Sequence, residues 1–288
     1  MRGIKIWQSC SFSLNLSEKK VVLLTTNDVI RRPKIRLRRG IEVTDTTKRF
    51  EGRRIAVTGA AGGIGHAIVL QLVREGAEVY ALDRRESTDL PQGASAREVD
   101  LSSPESVAAV VAALYADDDR PIDLVNSAGI VEDNVAAEDM SIEQWDAVLG
   151  VNLRGTFLSC QAFGRELLAR GTGAIVNIAS MSGNSVVNFP QRQSAYNTSK
   201  AAVTALTKSL SVEWSPRGVR LNALSPGYVD TPLNHLKAHM HEQWKEGTVV
   251  GRFATPDEVA ASVAFLLSDD AAYYIGAELL MDGGYSLR

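Results

Sequence analysis

From Arg54 to the C-terminus, short apolar β-branched runs alternate with longer helical stretches, and this alternation limits the possible folds more than any other feature of the chain. Strands are expected at Ile55–Thr58, Glu78–Leu82, Arg97–Val99, Leu124–Asn126, Ala174–Ile178, Arg220–Ala223 and Glu278–Met281. Helical windows fall between them, near 64–75, 103–116, 141–169, 195–215 and 256–268. Glycines stand where helices should stop, at Gly76, Gly171 and Gly218. Strands this apolar, joined by crossover helices, belong in a parallel sheet covered on both faces. Right-handed crossovers then predict an α/β fold with a doubly wound, seven-stranded sheet, whose ligands bind at the carboxyl ends of the strands. No internal repeat or linker interrupts residues 49–288, which read as one domain.

The segment before it is different in kind. Residues 1–54 carry 14 Lys/Arg against 5 Asp/Glu, whereas the rest carries 17 against 29. Residues 1–42 show no sustained period, and arginines cluster at Arg31-Arg32 and Arg36–Arg39. Three readings stand for residues 1–48: a disordered or non-native basic extension, a targeting peptide interrupted by Glu18 and Asp28, and a nucleic-acid-binding arm. The first is preferred, with translation expected to begin near Val43; the third lacks any aromatic platform. The acidic body is not that of a nucleic-acid binder. The apolar run Val21–Leu24 is too short to span a membrane. Two cysteines, Cys10 and Cys160, offer neither a disulfide framework nor zinc-ligand spacing, so a reducing, cytoplasmic setting is expected. Cys160 lies in an apolar run and reads as a small core residue.

The first strand runs straight into Thr58-Gly59-Ala60-Ala61-Gly62-Gly63-Ile64-Gly65, and a helix follows. Glycines at Gly59, Gly63 and Gly65 permit a tight turn and close approach of backbone to a pyrophosphate, which the helix N-terminus beside Ile64 attracts. This is the signature of a Rossmann-type dinucleotide site. Asp83 ends the second strand 24 residues after Gly59, where a carboxylate accepts ribose hydroxyls and repels a 2′-phosphate. That favours NAD, although Arg84 and Arg85 follow immediately and could pair with the phosphate of NADP. Asp100-Leu101 closes the third strand, where an acid could hold the adenine amino group. Asn126-Ser127-Ala128-Gly129 closes the fourth, where small residues let backbone pass beside the cofactor.

These motifs, together with Asn152, Ser180 after Val176–Ala179, Tyr196-Asn197-Thr198-Ser199-Lys200, Pro226-Gly227 and Met281-Asp282-Gly283-Gly284, resemble the short-chain dehydrogenase/reductases over Phe50 to Arg288. One departure is Ser127, where the family usually has a second asparagine. Tyr196 and Lys200, four apart on a helix, share a face. A free phenol titrates near ~10, and a neighbouring ammonium together with an oxidised nicotinamide should favour its ionised form. The resemblance implies that Tyr196 removes the hydroxyl proton in oxidation and returns it in reduction, and that Lys200 also bonds the nicotinamide ribose. It further implies that Ser180 polarises the substrate oxygen, that Asn152 holds a water linking Lys200 to solvent, and that Val229 and Thr231 hold the carboxamide. A homotetramer is implied as well, through the helices near 141–169 and 195–215.

Between Ser180 and Tyr196, the pattern Ser-Met-Ser-Gly followed by Val-Asn-x-Pro-Gln is similar to the branch acting on polyols and ketoses, though one residue longer. Ser182, Asn188 and Gln191, with Ser180 and Tyr196, are the expected substrate contacts; loop turn chemistry around Pro190 is the other reading. Leu233, Leu236, Met240 and Trp244 have helical spacing and suit either an amphipathic lid or an ordinary surface helix. His235, His239 and His241 lack acid or thiolate partners, so no metal is expected, and His66 reads as local packing. The function expected is NAD(H)-dependent oxidation of a small secondary alcohol, with a polyol preferred. A 3-oxoacyl-thioester reductase using NADPH and a non-catalytic dinucleotide-binding regulator are the alternatives.

Overall fold

The computed structural model describes residues 48–288, apart from 86–88, 133, 187, 189 and 236. The basic extension thus lies almost wholly outside the described residues. Seven strands form one parallel sheet: β1 (Arg54–Thr58), β2 (Glu78–Asp83), β3 (Ala94–Glu98), β4 (Ile122–Asn126), β5 (Gly173–Ile178), β6 (Val219–Pro226) and β7 (Glu278–Met281). Their order is β3-β2-β1-β4-β5-β6-β7, so the winding direction reverses between β1 and β4, with Thr58 opposite Asn126 at the carboxyl edge. The helices are α1 (Gly63–Arg74), α2 (Pro104–Leu114), α3 (Ile142–Leu149), α4 (Thr156–Arg170), α5 (Met181–Asn184), α6 (Ser194–Trp214), α7 (Pro232–His235), α8 (His241–Gly247) and α9 (Pro256–Leu267).

The period-2 alternation of the strands splits the core in two. Ile55, Val57, Val79 and Val176 face one side and pack with α1 and α9 residues such as Ile68, Leu72, Val259 and Val263. Ala56, Leu82, Leu124 and Ile175 face the other and pack with Val107, Phe163, Leu167 and Leu210 from α2, α4 and α6. Several helices carry their own start signals. Ser103 accepts from the Ser106 N–H at 3.1 Å, Ser141 from Gln144 N–H at 3.2 Å, and Thr255 and Glu258 form a reciprocal capping box. Gly171 and Gly218 take left-handed φ values of 68° and 89° as helix stops.

Three expectations need correction. Strand β3 begins at Ala94 rather than Arg97, because an edge strand of small, half-exposed residues carries no apolar signature. The single helix expected over 141–169 is two helices joined by a wide π turn, Gly150–Gly155, which carries Asn152. The helix expected across Leu233–Trp244 is broken into α7, a short 3₁₀ turn at Ala238–Met240, and α8. Leu236 lies outside the described residues, and Trp244 is buried within the fold.

Candidate active site

At the switch point the ends of β1 and β4 are tied together. The Thr58 hydroxyl accepts from the N–H groups of Ser127 (3.2 Å) and Ala128 (3.3 Å). Gly59 has φ +70°, and a Cβ there would lie 2.6 Å from Ala128 Cα, so both conformation and approach require glycine. At Gly65 a Cβ would meet the Gly59 carbonyl oxygen at 2.1 Å. Helix α1 starts at Gly63 with no side-chain cap and no acid in its first turn, leaving N–H donors for an anion. Thr231 approaches Gly63 from the loop after β6. Asp83, at the end of β2, accepts from Ala61 N–H at 3.0 Å and Arg85 N–H at 3.1 Å. It therefore fixes the glycine turn and still has lone pairs for ribose hydroxyls. The cradle fits the diphosphate and adenosine of a dinucleotide.

Asp100, just beyond β3, is held by the Ser102 N–H (2.9 Å) and hydroxyl (2.7 Å), which pull its carboxyl below the usual range. Leu101 is half-buried beside Gly155. The Asn126 side chain turns into the core, donating to Asn177 Oδ1 at 2.8 Å and Cys160 Sγ at 3.3 Å. It braces β4 against β5 on the face that α4 covers, which leaves the backbone of Asn126 as the part that can pass beside a cofactor. Cys160 is fully buried, and burial pushes its thiol up to about 12.

A cleft of about 160 Å³ opens at the carboxyl edge of β5 and β6. It brings together Ile64, Gly129, Ser180, Ser182, Asn188, Gln191, Tyr196, Lys200, Pro226, Gly227, Val229 and Thr231 from the expected set. Ser180 lies two residues beyond β5 and caps α5, accepting from Ser182 N–H at 3.2 Å. Gly183 lets α5 lie against the α6 backbone, since a Cβ there would be 2.7 Å from Ala201 N. That close approach sets Ser180 opposite Tyr196, and their hydroxyls interact. Lys200 Nζ donates to Ile178 O at 2.8 Å and lies 5.8 Å from the Tyr196 ring centroid.

The acid–base balance differs from the expectation for the phenol. Burial pushes Tyr196 above its ordinary value, while the Ser180 hydrogen bond opposes this and the Glu132 carboxylate adds to it. Burial also lowers the Lys200 ammonium to about 8. Asn152 Oδ1 accepts from Ile130 N–H at 2.8 Å, and Nδ2 donates to Ile130 O (2.9 Å) and Ser199 Oγ (3.0 Å). Its amide thus braces the loop after β4 beneath the cleft.

Several contributors carried no local sequence signal. Tyr228 lines the cleft, donates to Gln191 Oε1 at 3.0 Å, and stacks on buried Trp244 with centroids 4.3 Å apart. Gln193, Asn234 and Lys237 also line it. Asn188 Oδ1 is buried without a hydrogen-bond partner in a wall of the cleft. The histidines fall outside the cleft lining: His235 meets Asp230 at 2.6 Å, and His241 meets Asn234 O at 3.0 Å.

Residues 59–286 match the family described as enoyl-(acyl carrier protein) reductase, a branch of the short-chain dehydrogenase/reductases. The chain is a short-chain dehydrogenase/reductase. It is 42% identical to galactitol 2-dehydrogenase (L-tagatose-forming) of Cereibacter sphaeroides over 84% of this chain and 98% of that protein. It is 38% identical to the NAD-dependent glycerol dehydrogenase of Listeria innocua over 81% and 93%. An Agrobacterium tumefaciens structure with bound NADP superposes with a TM-score of 0.75 at 34% identity, covering 84% of this chain and all of that one. This short-chain dehydrogenase/reductase therefore uses a nicotinamide dinucleotide and acts on a small molecule as an alcohol dehydrogenase or carbonyl reductase. Among the described residues no helix is long and apolar enough to cross a membrane.

Proposed function

We propose that residues 49–288 form an NAD-dependent oxidoreductase that interconverts a polyol and the corresponding ketose, with Tyr196 transferring the hydroxyl proton. The observation that carries the reading is the convergence of Ser180, Tyr196 and Lys200 in one cleft beside the glycine turn. A bound nicotinamide dinucleotide supplies the hydride acceptor in oxidation and the donor in reduction. Gly59, Gly63, Ile64 and Gly65 hold its pyrophosphate, Asp83 its adenosine ribose, and Asp100 with Leu101 its adenine. Ala128 and Gly129 flank it, and Pro226, Gly227, Val229 and Thr231 hold its carboxamide end. Support for NAD comes from the Asp83 carboxylate, which repels a 2′-phosphate, and from the NAD-dependent glycerol dehydrogenase relative.

Tyr196 takes the proton from the substrate hydroxyl in oxidation and returns it to the carbonyl oxygen in reduction. Ser180 donates to that same oxygen and stabilises the charge that develops on it. Lys200 favours the phenolate and bonds the nicotinamide ribose. Asn152 holds the water that links Lys200 to solvent, using acceptor capacity beyond its bonds to Ile130 and Ser199. Substrate hydroxyls meet Ser182, Gln191 and the unpartnered Asn188 Oδ1, an acceptor that suits an O–H donor. The relatives' names, galactitol and glycerol dehydrogenase, support the same substrate class. A homotetramer is supported by exposed Ile142 and Phe157 on α3 and α4 and Val212 on α6, and the pattern of cysteine use suits a cytoplasmic setting.

The test is a panel of galactitol, threitol, glycerol and simple secondary alcohols, run with NAD and NADP in parallel and followed by reduced-cofactor absorbance. Turnover of polyols with NAD is expected, with Tyr196→Phe abolishing it while cofactor binding survives. Asn188→Ala should raise KM for polyols about tenfold, the worth of one buried hydrogen bond, and leave simple alcohols unaffected. Turnover confined to acetoacetyl thioesters with NADPH would move the chain to the 3-oxoacyl reductases. NAD binding with no turnover at all would make it a regulator.

A further inference from the structure

The 21-residue helix that carries Tyr196 and Lys200 lacks a cap of its own, since Gln193 makes no side-chain bond to its first turn. The missing acceptor comes from the loop after β4. The Glu132 carboxylate, 6% exposed, accepts from Ala195 N–H at 3.0 Å and from Tyr196 N–H at 3.2 and 3.1 Å. Asn134 Oδ1, on the same loop, accepts from Arg192 N–H at 2.8 Å. The loop is held in turn by the Asn152–Ile130 pair. At the other end of the same residue, Ser199 Oγ donates to Tyr196 O at 2.7 Å and accepts from Asn152 Nδ2. Tyr196 is thus clamped at both its N–H and its carbonyl, and both clamps trace back to Asn152.

Glu132 makes no ion pair among the described residues, so its charge is met by the backbone N–H groups at the α6 N-terminus. We propose that Glu132 is a positioning residue that fixes Tyr196 through its backbone amide and places a buried negative charge beside the residue that transfers the proton. The idea rests on the reading of Tyr196 as the proton-transfer group. Facing the phenol are Ser180 from the loop after β5 and Lys200 from α6, with Tyr228 and Lys237 lining the same cleft, while Glu132 from the loop after β4 acts on it from the backbone side of Tyr196. A neighbouring ammonium such as Lys200 favours the phenolate; among the described residues Glu132 is the carboxylate acting on the phenol, and it disfavours ionisation. A buried carboxylate so close to a proton-transfer group holds its ionisation at higher pH than Lys200 and Ser180 alone would allow. Gln at this position keeps one acceptor for the amides and removes the charge.

The experiment is an ultraviolet difference titration of the Tyr196 phenol in the cofactor-free protein, against Tyr196→Phe as blank, for wild type, Glu132→Gln and Glu132→Asp. Glu132→Gln should lower the midpoint by about one pH unit, the size expected for removing one nearby buried charge. The acid limb of kcat/KM for galactitol oxidation should move the same way. An unchanged midpoint in a folded Gln variant overturns the proposal. Glu132→Asp retains the charge but is one methylene short of the amides, so its midpoint should stay near wild type while kcat falls about tenfold. Wild-type kcat in the Asp variant overturns the positioning role whether or not the Gln variant folds. Activity surviving in Tyr196→Phe would instead refute the assignment of Tyr196, a failure the titration does not share.

Discussion

Lys200 is expected to destabilise the cofactor-free protein, and replacing it with methionine should raise stability while abolishing turnover. Lys200 is 4% exposed, and its Nζ donates to Ile178 O. Burial lowers its pKa from 10.5 to about 8. At 1.36 kcal/mol per unit, keeping the charged form buried costs roughly 3 kcal/mol. Methionine fills similar volume but leaves the Ile178 carbonyl without its donor, a loss of about 1 kcal/mol. The net gain of about 2 kcal/mol corresponds to a melting temperature about 4 to 8 °C higher for a chain of this size. The pH dependence follows from linkage. Below pH 8 folded and unfolded Lys200 are both charged, and the full cost is present. Between about 8 and 10.5 the unfolded chain binds the extra proton, so wild-type stability rises with pH and the gap to Lys200→Met closes. Thermal melts of both proteins from pH 6 to 10.5 read this directly. A variant no more stable than wild type at pH 7, or a gap that does not narrow above pH 8, would refute the reasoning.

Asp83→Ala removes both the barrier to a 2′-phosphate and the acceptor for Ala61 N–H. Discrimination against NADP, measured as the ratio of kcat/KM values, should fall at least tenfold, with NAD affinity falling about tenfold; an unchanged ratio would show that the selector lies elsewhere. Gly59→Ala forces a Cβ to 2.6 Å from Ala128 Cα at a positive φ. Together these should destabilise by about 2 to 4 kcal/mol and abolish dinucleotide binding, which urea unfolding and cofactor fluorescence would detect; a stable, NAD-binding variant would contradict the close approach.

What the sequence determined by itself is the frame and the chemistry that local pattern can encode. Strand and helix periods specified the doubly wound sheet, because each element's buried face is written in its own residues. The glycine turn, Asp83 and the Tyr196–Lys200 pair were legible because each depends on a short spacing, whereas Ser180 was marked by the family resemblance. Only the tertiary structure decided the rest. Asn126 and Tyr228 show why: each owes its part to partners from distant elements, Asn177 and Cys160 for one, Gln191 and Trp244 for the other. The edge strand β3 hid because half-exposed small residues leave no apolar trace. Glu132 hid for the plainest reason: the helix it caps begins more than sixty residues later, and no local spacing records that contact.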